Sequence, residues 1–200
     1  MARYTDSKAK INRAVGMVVY ENTGATKAFE RRDAPPGMHQ RRGKSSLYGA
    51  ALMEKKKIKH WYGVLERQLR RFFALACRQP ENTGTALLIL CERRLDNAIR
   101  RAGFTATRPQ ARQGISHGHF LVNGKKVTIP SYLVNANDVI AVNPRANVQA
   151  IYRPIEGHGN ADWVAKDQNS LQATVSRLPD VPDISLNVDV NKVIELLSRS

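Results

Sequence analysis

Cysteine is nearly absent from this 200-residue sequence. Only Cys77 and Cys91 occur, too few for a disulfide framework, and both sit in stretches whose apolar spacing reads as helical. A disulfide-stapled class is excluded and a reducing cytoplasm fits. Long apolar runs are lacking too: nowhere do eighteen consecutive apolar residues occur, so neither a spanning helix nor a membrane partner is expected. The opening Met1-Ala2-Arg3-Tyr4-Thr5-Asp6 has no apolar stretch behind its charge, and no secretory leader is expected. Neither a dinucleotide-type nor a Walker-type glycine loop is present, and no Ser-His-Asp or paired-carboxylate arrangement stands out, so no enzyme and no cofactor is expected.

Acidic residues are few: 17 Asp and Glu face 32 Lys and Arg, a formal net charge of +15. That excess is larger than solubility asks of a small protein and points to a polyanionic partner, nucleic acid first. It is also unevenly placed. Residues 1–80 hold 18 basic and 6 acidic side chains (net +12), residues 81–130 hold 8 and 3 (+5), and residues 131–200 hold 6 and 8 (−2). The first two-thirds should therefore carry the contacts. With 42% hydrophobic residues the chain can bury a core, and its length suits one large or two modest lobes.

From Met1 to Ser46 the sequence is polar, basic and punctuated by Asn22-Thr23-Gly24 and Pro35-Pro36-Gly37. It reads as an irregular arm whose order depends on RNA phosphates. From Leu47 to Arg78, Ile58, Trp61, Tyr62, Leu65, Leu69, Phe72, Phe73 and Ala76 recur at helical spacing, with a basic face opposite. A second amphipathic helix follows, with Leu87, Leu88, Cys91, Leu95, Ala98, Ile99 and Ala102 on its apolar side and Gly103 as its stop. Thr107 is an N-cap before Pro109, opening a helix to about His117. Phe120–Val122, Val127–Ile129 and Asp138–Val142 read as short strands, the first two joined by the hairpin signal Asn123-Gly124. Residues 92–145 thus make a helix-helix-β unit. Beyond Asn147 patterning is weak, with Gly157-His158-Gly159-Asn160 a loop and Leu171–Leu178 a possible strand. The last apolar run, Val190, Val193, Ile194 and Leu197, is too short to stand alone and should pack on the N-terminal helices.

Two stretches resemble one family. Trp61-Tyr62-Gly63-Val64-Leu65-Glu66-Arg67-Gln68-Leu69-Arg70, with Pro36-Gly37-Met38-His39, Tyr48-Gly49 and Glu54-Lys55-Lys56-Lys57 ahead of it, is similar to the signature region of the small-subunit ribosomal S-four proteins. Arg94-Leu95-Asp96-Asn97, Gly103-Phe104, Thr107-Arg108, Ala111-Arg112-Gln113, His117, Val122-Asn123-Gly124, Ser131-Tyr132 and Asp138-Val139-Ile140 resemble the RNA-binding module named after that family. The resemblance covers nearly the whole chain. It implies an α+β fold, in which a discontinuous, mainly helical lobe (1–91, completed by 180–200) receives a helix-helix-β module (S-four, alpha-L type) within 92–179. It further implies a structural role in the small ribosomal subunit, primary binding to a junction in the 5′ domain of its rRNA, and early assembly. A cytoplasmic place beside the mRNA entry path, with the S-five protein as neighbour and an influence on decoding accuracy, is implied as well. Many relatives bind zinc through four N-terminal cysteines; here Ala9 and Asn12 stand where the first pair would fall, so no zinc is expected. The module also occurs in pseudouridine synthases and heat-shock RNA binders, which leaves a free RNA-modifying enzyme or a rescue factor as alternative readings.

The candidate RNA contacts follow. In the arm they are Arg3, Lys8, Lys10, Arg13, Arg41, Arg42 and Lys44, and in the helical stretch Lys55, Lys56, Lys59, Arg67, Arg70 and Arg71. In the module they are Arg93, Arg94, Arg100, Arg101, Thr107, Arg108, Arg112, Gln113, His117, Asn123 and Lys125. A basic helix face is ordinarily just solvated surface, but the total charge shifts that weighting toward phosphate. Gln113, His117 and Asn123 can donate to phosphate or 2′-hydroxyl groups, against a reading as turn or cap residues. Trp61, Tyr62, Phe72 and Phe73 lie at helical spacing and read as core rather than stacking platforms. His117-Gly118-His119 lacks the partners of a metal site. In pseudouridine synthases an Arg-Leu-Asp supplies the nucleophile; here Asp96 is expected to cap or to pair with an arginine such as Arg100.

Overall fold

The computed structural model describes residues 4–38, 43–152, 161–167 and 171–199. Arg3, Arg41, Arg42 and the Gly157-to-Asn160 loop lie outside these. The chain forms two compact units, residues 1–87 with 186–200, and residues 88–185.

The first unit contains helices α1 (Lys8–Val15), α2 (Thr23–Arg31), α3 (Leu47–Trp61), α4 (Glu66–Ala76), the start of α5 (Thr83–Glu92) and the C-terminal α9 (Val190–Ser198). The expectation of an irregular N-terminal arm is corrected here. Its order comes from hydrogen bonds, which leave no apolar period to read. Buried Asn12 accepts from the backbone N–H groups of Val19 and Tyr20, at 3.1 and 2.9 Å, and donates to the Tyr20 carbonyl. Arg13 donates to the carbonyls of Ala34 and Pro35. Val15, Val19, Tyr20 and Ala25 are buried.

The stretch expected as one helix from Leu47 is two. Gly63 takes φ +60°, the Gly63 N–H bonds the His60 carbonyl and the Val64 N–H bonds the Lys59 carbonyl, a Schellman ending that only a residue without Cβ adopts at little cost. Gln68 Oε1 then accepts from the Leu65 N–H and starts α4. Trp61, Tyr62, Leu69, Phe72 and Ala76 are buried and Phe73 half-buried, as core residues should be. As expected, α9 packs on the helical lobe, against α3 and α4.

The second unit carries the rest of α5, α6 (Leu95–Arg101), α7 (Arg108–Ser116), the short α8 (Ala146–Gln149) and five strands: β1 (Phe120–Val122), β2 (Lys125–Lys126), β3 (Val139–Val142), β4 (Val164–Lys166) and β5 (Gln172–Val175). The single helix expected from Leu87 to Ala102 is interrupted at Arg93-Arg94. A segment with no helical signature takes the backbone there: the Leu95 N–H bonds the Tyr132 carbonyl, the Val134 N–H bonds the Arg93 carbonyl, and Arg94 bridges to Leu133. The sheet is antiparallel with order β2-β1-β3-β5-β4. Asn123 and Gly124 form its hairpin at φ +51° and +75°, so the second strand begins at Lys125 and not at Val127 as expected. The expected strand near Leu171 is β5; β4 was not foreseen. Phe120, Val122, Ile140, Val142, Ala173 and Val175 share a core with Leu95, Ile99, Phe104, Ala111, Ile115 and Trp163. Thr107 caps α7 through the Gln110 N–H, as its position predicted.

Candidate nucleic-acid interface

In the first unit the cations gather on α3 and α4. Lys55 and Lys59 project from α3 onto the Glu66 carboxylate of α4, at 3.0 and 2.9 Å, and Arg70 approaches the same group at 3.5 Å. Burial alone would push the Glu66 carboxyl up; hydrogen bonds and charge from Lys59 and Lys55 outweigh it and hold the pKa at about 2. Three cations on one anion leave a local surplus of positive charge. Lys56, Arg67, Arg70 and Arg71 are exposed beside it. The remaining acid of these helices, Glu54, is taken by Lys57 at 2.5 Å. Among the arm candidates, Lys10 and Lys44 are exposed, Lys8 lies 5.8 Å from the Tyr20 ring, and Arg13 is turned onto the Ala34 and Pro35 carbonyls. Burial and then Lys59 and Lys56 lower the His60 pKa, and its Nδ1 shares a hydrogen bond with the Tyr20 hydroxyl at 3.1 Å.

In the second unit the arginines sort by depth. Arg94 is fully buried, its guanidinium clamped on Asp96, and so is withdrawn from the candidate contacts. The charge-pattern argument could not foresee this, because Arg94 stands at the helix interruption that tertiary pairing creates. Asp96 does pair with an arginine, as expected: Arg94 holds it, with Arg112 at 4.0 Å. Arg101 straddles the buried Glu92 carboxylate and reaches Ser185 and the Asp183 carbonyl. Asn97 joins the same network, donating to the Glu92 carboxylate and accepting from Arg108 Nε at 2.7 Å. Arg108 is buried, whereas Arg93, Arg100, Arg101 and Arg112 are half-buried. Arg93 rests on the Val134 carbonyl and Asn135.

Gln113, His117 and Lys125 are exposed. Asn123 is exposed too, but its side chain binds Asp138 and the Val139 N–H, which gives it a structural task in the hairpin. Lys126 was missed by sequence reasoning. It is exposed, and its stem lies so close over Gly118 that a Cβ there would sit 2.0 Å from its Cε, which places the ammonium beside the end of α7. The pair Lys125-Lys126 just after a tight hairpin was the available signal. His119, next to His117, is committed to the Tyr152 hydroxyl at 2.9 Å. No group of three or more His, Cys, Asp or Glu among the described residues could hold a metal ion. None of their helices is long and apolar enough to cross a membrane.

This arrangement of cations offers phosphate oxygens a surface in each unit, and two consecutive stretches of the sequence match two family descriptions. Residues 3–92 match the "Ribosomal protein S4/S9 N-terminal domain", and residues 93–140 match the "S4 domain". Over the full length of both chains the sequence is 57% identical to the small ribosomal subunit protein uS4 of Rhodopirellula baltica. It is 44% identical to uS4A of Alkaliphilus oremlandii and 40% identical to uS4 of Aquifex aeolicus, again over the whole of each chain. The chain belongs to the family of small ribosomal subunit protein uS4.

Proposed function

We infer that this protein is a structural constituent of the small ribosomal subunit that works by binding its rRNA. The observation that carries this reading is identity along the whole chain, in both units, to proteins named for that role. The physical support is the cation surface: counterions released when lysines and arginines neutralise phosphates drive association with RNA. The contacts proposed are exposed or half-exposed side chains able to donate to phosphate or 2′-hydroxyl groups. They are Lys10, Lys44, Lys56, Arg67, Arg70 and Arg71 in the first unit, and Arg93, Arg100, Arg112, Gln113, His117, Lys125 and Lys126 in the second. Lys55 and Lys59 act with Glu66 as an organised cluster.

The finer reading extends the resemblance. The target is a helical junction of the 5′ domain, bound early in assembly; the S-five protein and mRNA near the entry path are neighbours, decoding accuracy is affected, and the ribosome is cytoplasmic. The two-lobe division, 1–91 with 180–200 and 92–179, belongs to this reading and has its support in the two compact units. The free-enzyme alternative has little to recommend it, because both oxygens of Asp96 are occupied by a buried guanidinium.

The test is binding of the purified protein to a 5′-domain transcript and to bulk tRNA across a salt series. A preference for the transcript that survives moderate salt is expected. Equal, steeply salt-dependent binding to both would reduce the interaction to generic charge and sink the junction reading.

A further inference from the structure

The chain holds thirteen aromatic side chains of Phe, Tyr and Trp, and all lie within the described residues. Twelve are buried or half-buried. Tyr48 is the exception, with 66% of its surface exposed, and its neighbour Leu47 is 88% exposed. Both stand in the first turn of α3, whose start is fixed by Ser46, which accepts from the Gly49 N–H. Tyr4, Tyr20 and His60 spend their rings on one another, whereas none of the ring contacts among the described residues uses Tyr48.

The helix period places Tyr48 in register with the cations. Residues 48, 55 and 59 fall on one face of α3, about 10 and 16 Å apart along the axis from Tyr48. Lys55 and Lys59 are the pair that Glu66 gathers with Arg70, and exposed Lys44 and Lys56 flank the stripe. Both carboxylates of α3 and α4 are already in ion pairs with lysines. A protein partner with a basic or apolar face would meet this charge unfavourably; a polyanion with a flat apolar group would not. A stacking face at the head of a cation row is the arrangement by which proteins hold a nucleic-acid strand, ring against base and ammonium against phosphate.

We propose that Tyr48 is a stacking site for an unpaired nucleotide of the bound rRNA, with the strand's phosphates running along the Lys55 and Lys59 face of α3. This rests on the rRNA-binding reading and assigns it a base-contacting residue that charge alone does not provide. Leu47 supports the edge of the base, and Glu66 sets the spacing of the cations that follow.

The experiment uses the full-length protein with Tyr48→Phe, Tyr48→Leu and Tyr48→Ala, titrated against the 5′-domain transcript at several salt concentrations, with base-modification footprinting of each complex. Because Tyr48 is exposed, the variants should keep the wild-type thermal transition. The expected result is a loss of affinity of about 5- to 150-fold for Tyr48→Ala and Tyr48→Leu, near-wild-type binding for Tyr48→Phe, and an unchanged salt slope. An unpaired base protected by the wild type and by Tyr48→Phe should become reactive in the other two complexes. If Tyr48→Ala binds like the wild type, or Tyr48→Phe loses as much as Tyr48→Ala, stacking is overturned while the rRNA reading stands. If the wild type itself does not prefer the transcript to tRNA, the junction reading and the stacking site fall together.

Discussion

Arg94 clamps Asp96 from two residues away, Nε and Nη2 each donating to a separate carboxylate oxygen at 3.0 and 2.5 Å, with both side chains enclosed. Burial opposes the guanidinium's charge, but the Asp96 carboxylate outweighs it and raises the Arg94 pKa above its ordinary value. The clamp sits where α5 ends and α6 begins, at the point where the 130–134 segment crosses and takes up the backbone. Those backbone bonds tie the helix pair of the RNA-binding unit to its sheet-side connection, and Arg112 faces the same carboxylate from α7.

Replacing Asp96 with Asn should therefore destabilise the second unit severely. Removing one partner of a buried pair strands the other as an uncompensated charge, at a cost of about 3–5 kcal/mol. Urea unfolding followed by Trp163 fluorescence in a Trp61→Phe background reads the effect; a change under about 1 kcal/mol would show that the clamp is not structural.

Asn12→Ala should loosen the N-terminal segment. The variant leaves the Val19 and Tyr20 N–H groups and the Tyr20 carbonyl without their side-chain partner, which costs about 1–3 kcal/mol for a buried group left unsatisfied. Hydrogen exchange should accelerate at Val19 and Tyr20 while amides of β1 and β3 keep their protection. Unchanged exchange at Val19 and Tyr20 would mean that apolar burial alone holds the segment.

The Glu66 carboxyl should titrate near 2, well below its ordinary 4.5, because Lys59 and Lys55 hold the anion. A folded pKa below the unfolded one means that the contribution to stability is complete above about 4.5 and is lost as pH falls through about 2. The side chain is 36% exposed, so solvent screening keeps that contribution small. Carboxyl-carbon NMR reads the midpoint directly. Replacing Lys55 and Lys59 with Met should return it toward 4.5, and a midpoint already there in the wild type would contradict the clasp.

The two thiols should differ in reactivity. Cys77 is exposed, whereas burial pushes the Cys91 thiol up to about 12, with Arg94 pulling it down less strongly. A thiol reagent should label one equivalent quickly in the native protein and the second only after unfolding. Rapid labelling of both would show that the end of α5 opens readily.

Sequence alone determined the partner class, because a net charge of +15 with its whole excess in residues 1–130 calls for a polyanion whatever the fold. It also determined the elements set by local chemistry. Thr107 caps α7, Asn123-Gly124 turns the hairpin, and the Trp61, Tyr62, Phe72 spacing marks core, since caps, turns and helix periods act within a few residues. What tertiary structure decided lies at longer range. The Arg93-Arg94 interruption depends on backbone groups of residues 130–134, and the order of the N-terminal segment depends on one amide bonding a turn seven and eight residues away. Depth was decided the same way: Arg94 and Arg112 are the same residue type in one basic module, yet one is sealed on Asp96 and the other reaches the surface in part. A charge can be counted from sequence, but its accessibility depends on which distant backbone closes over it.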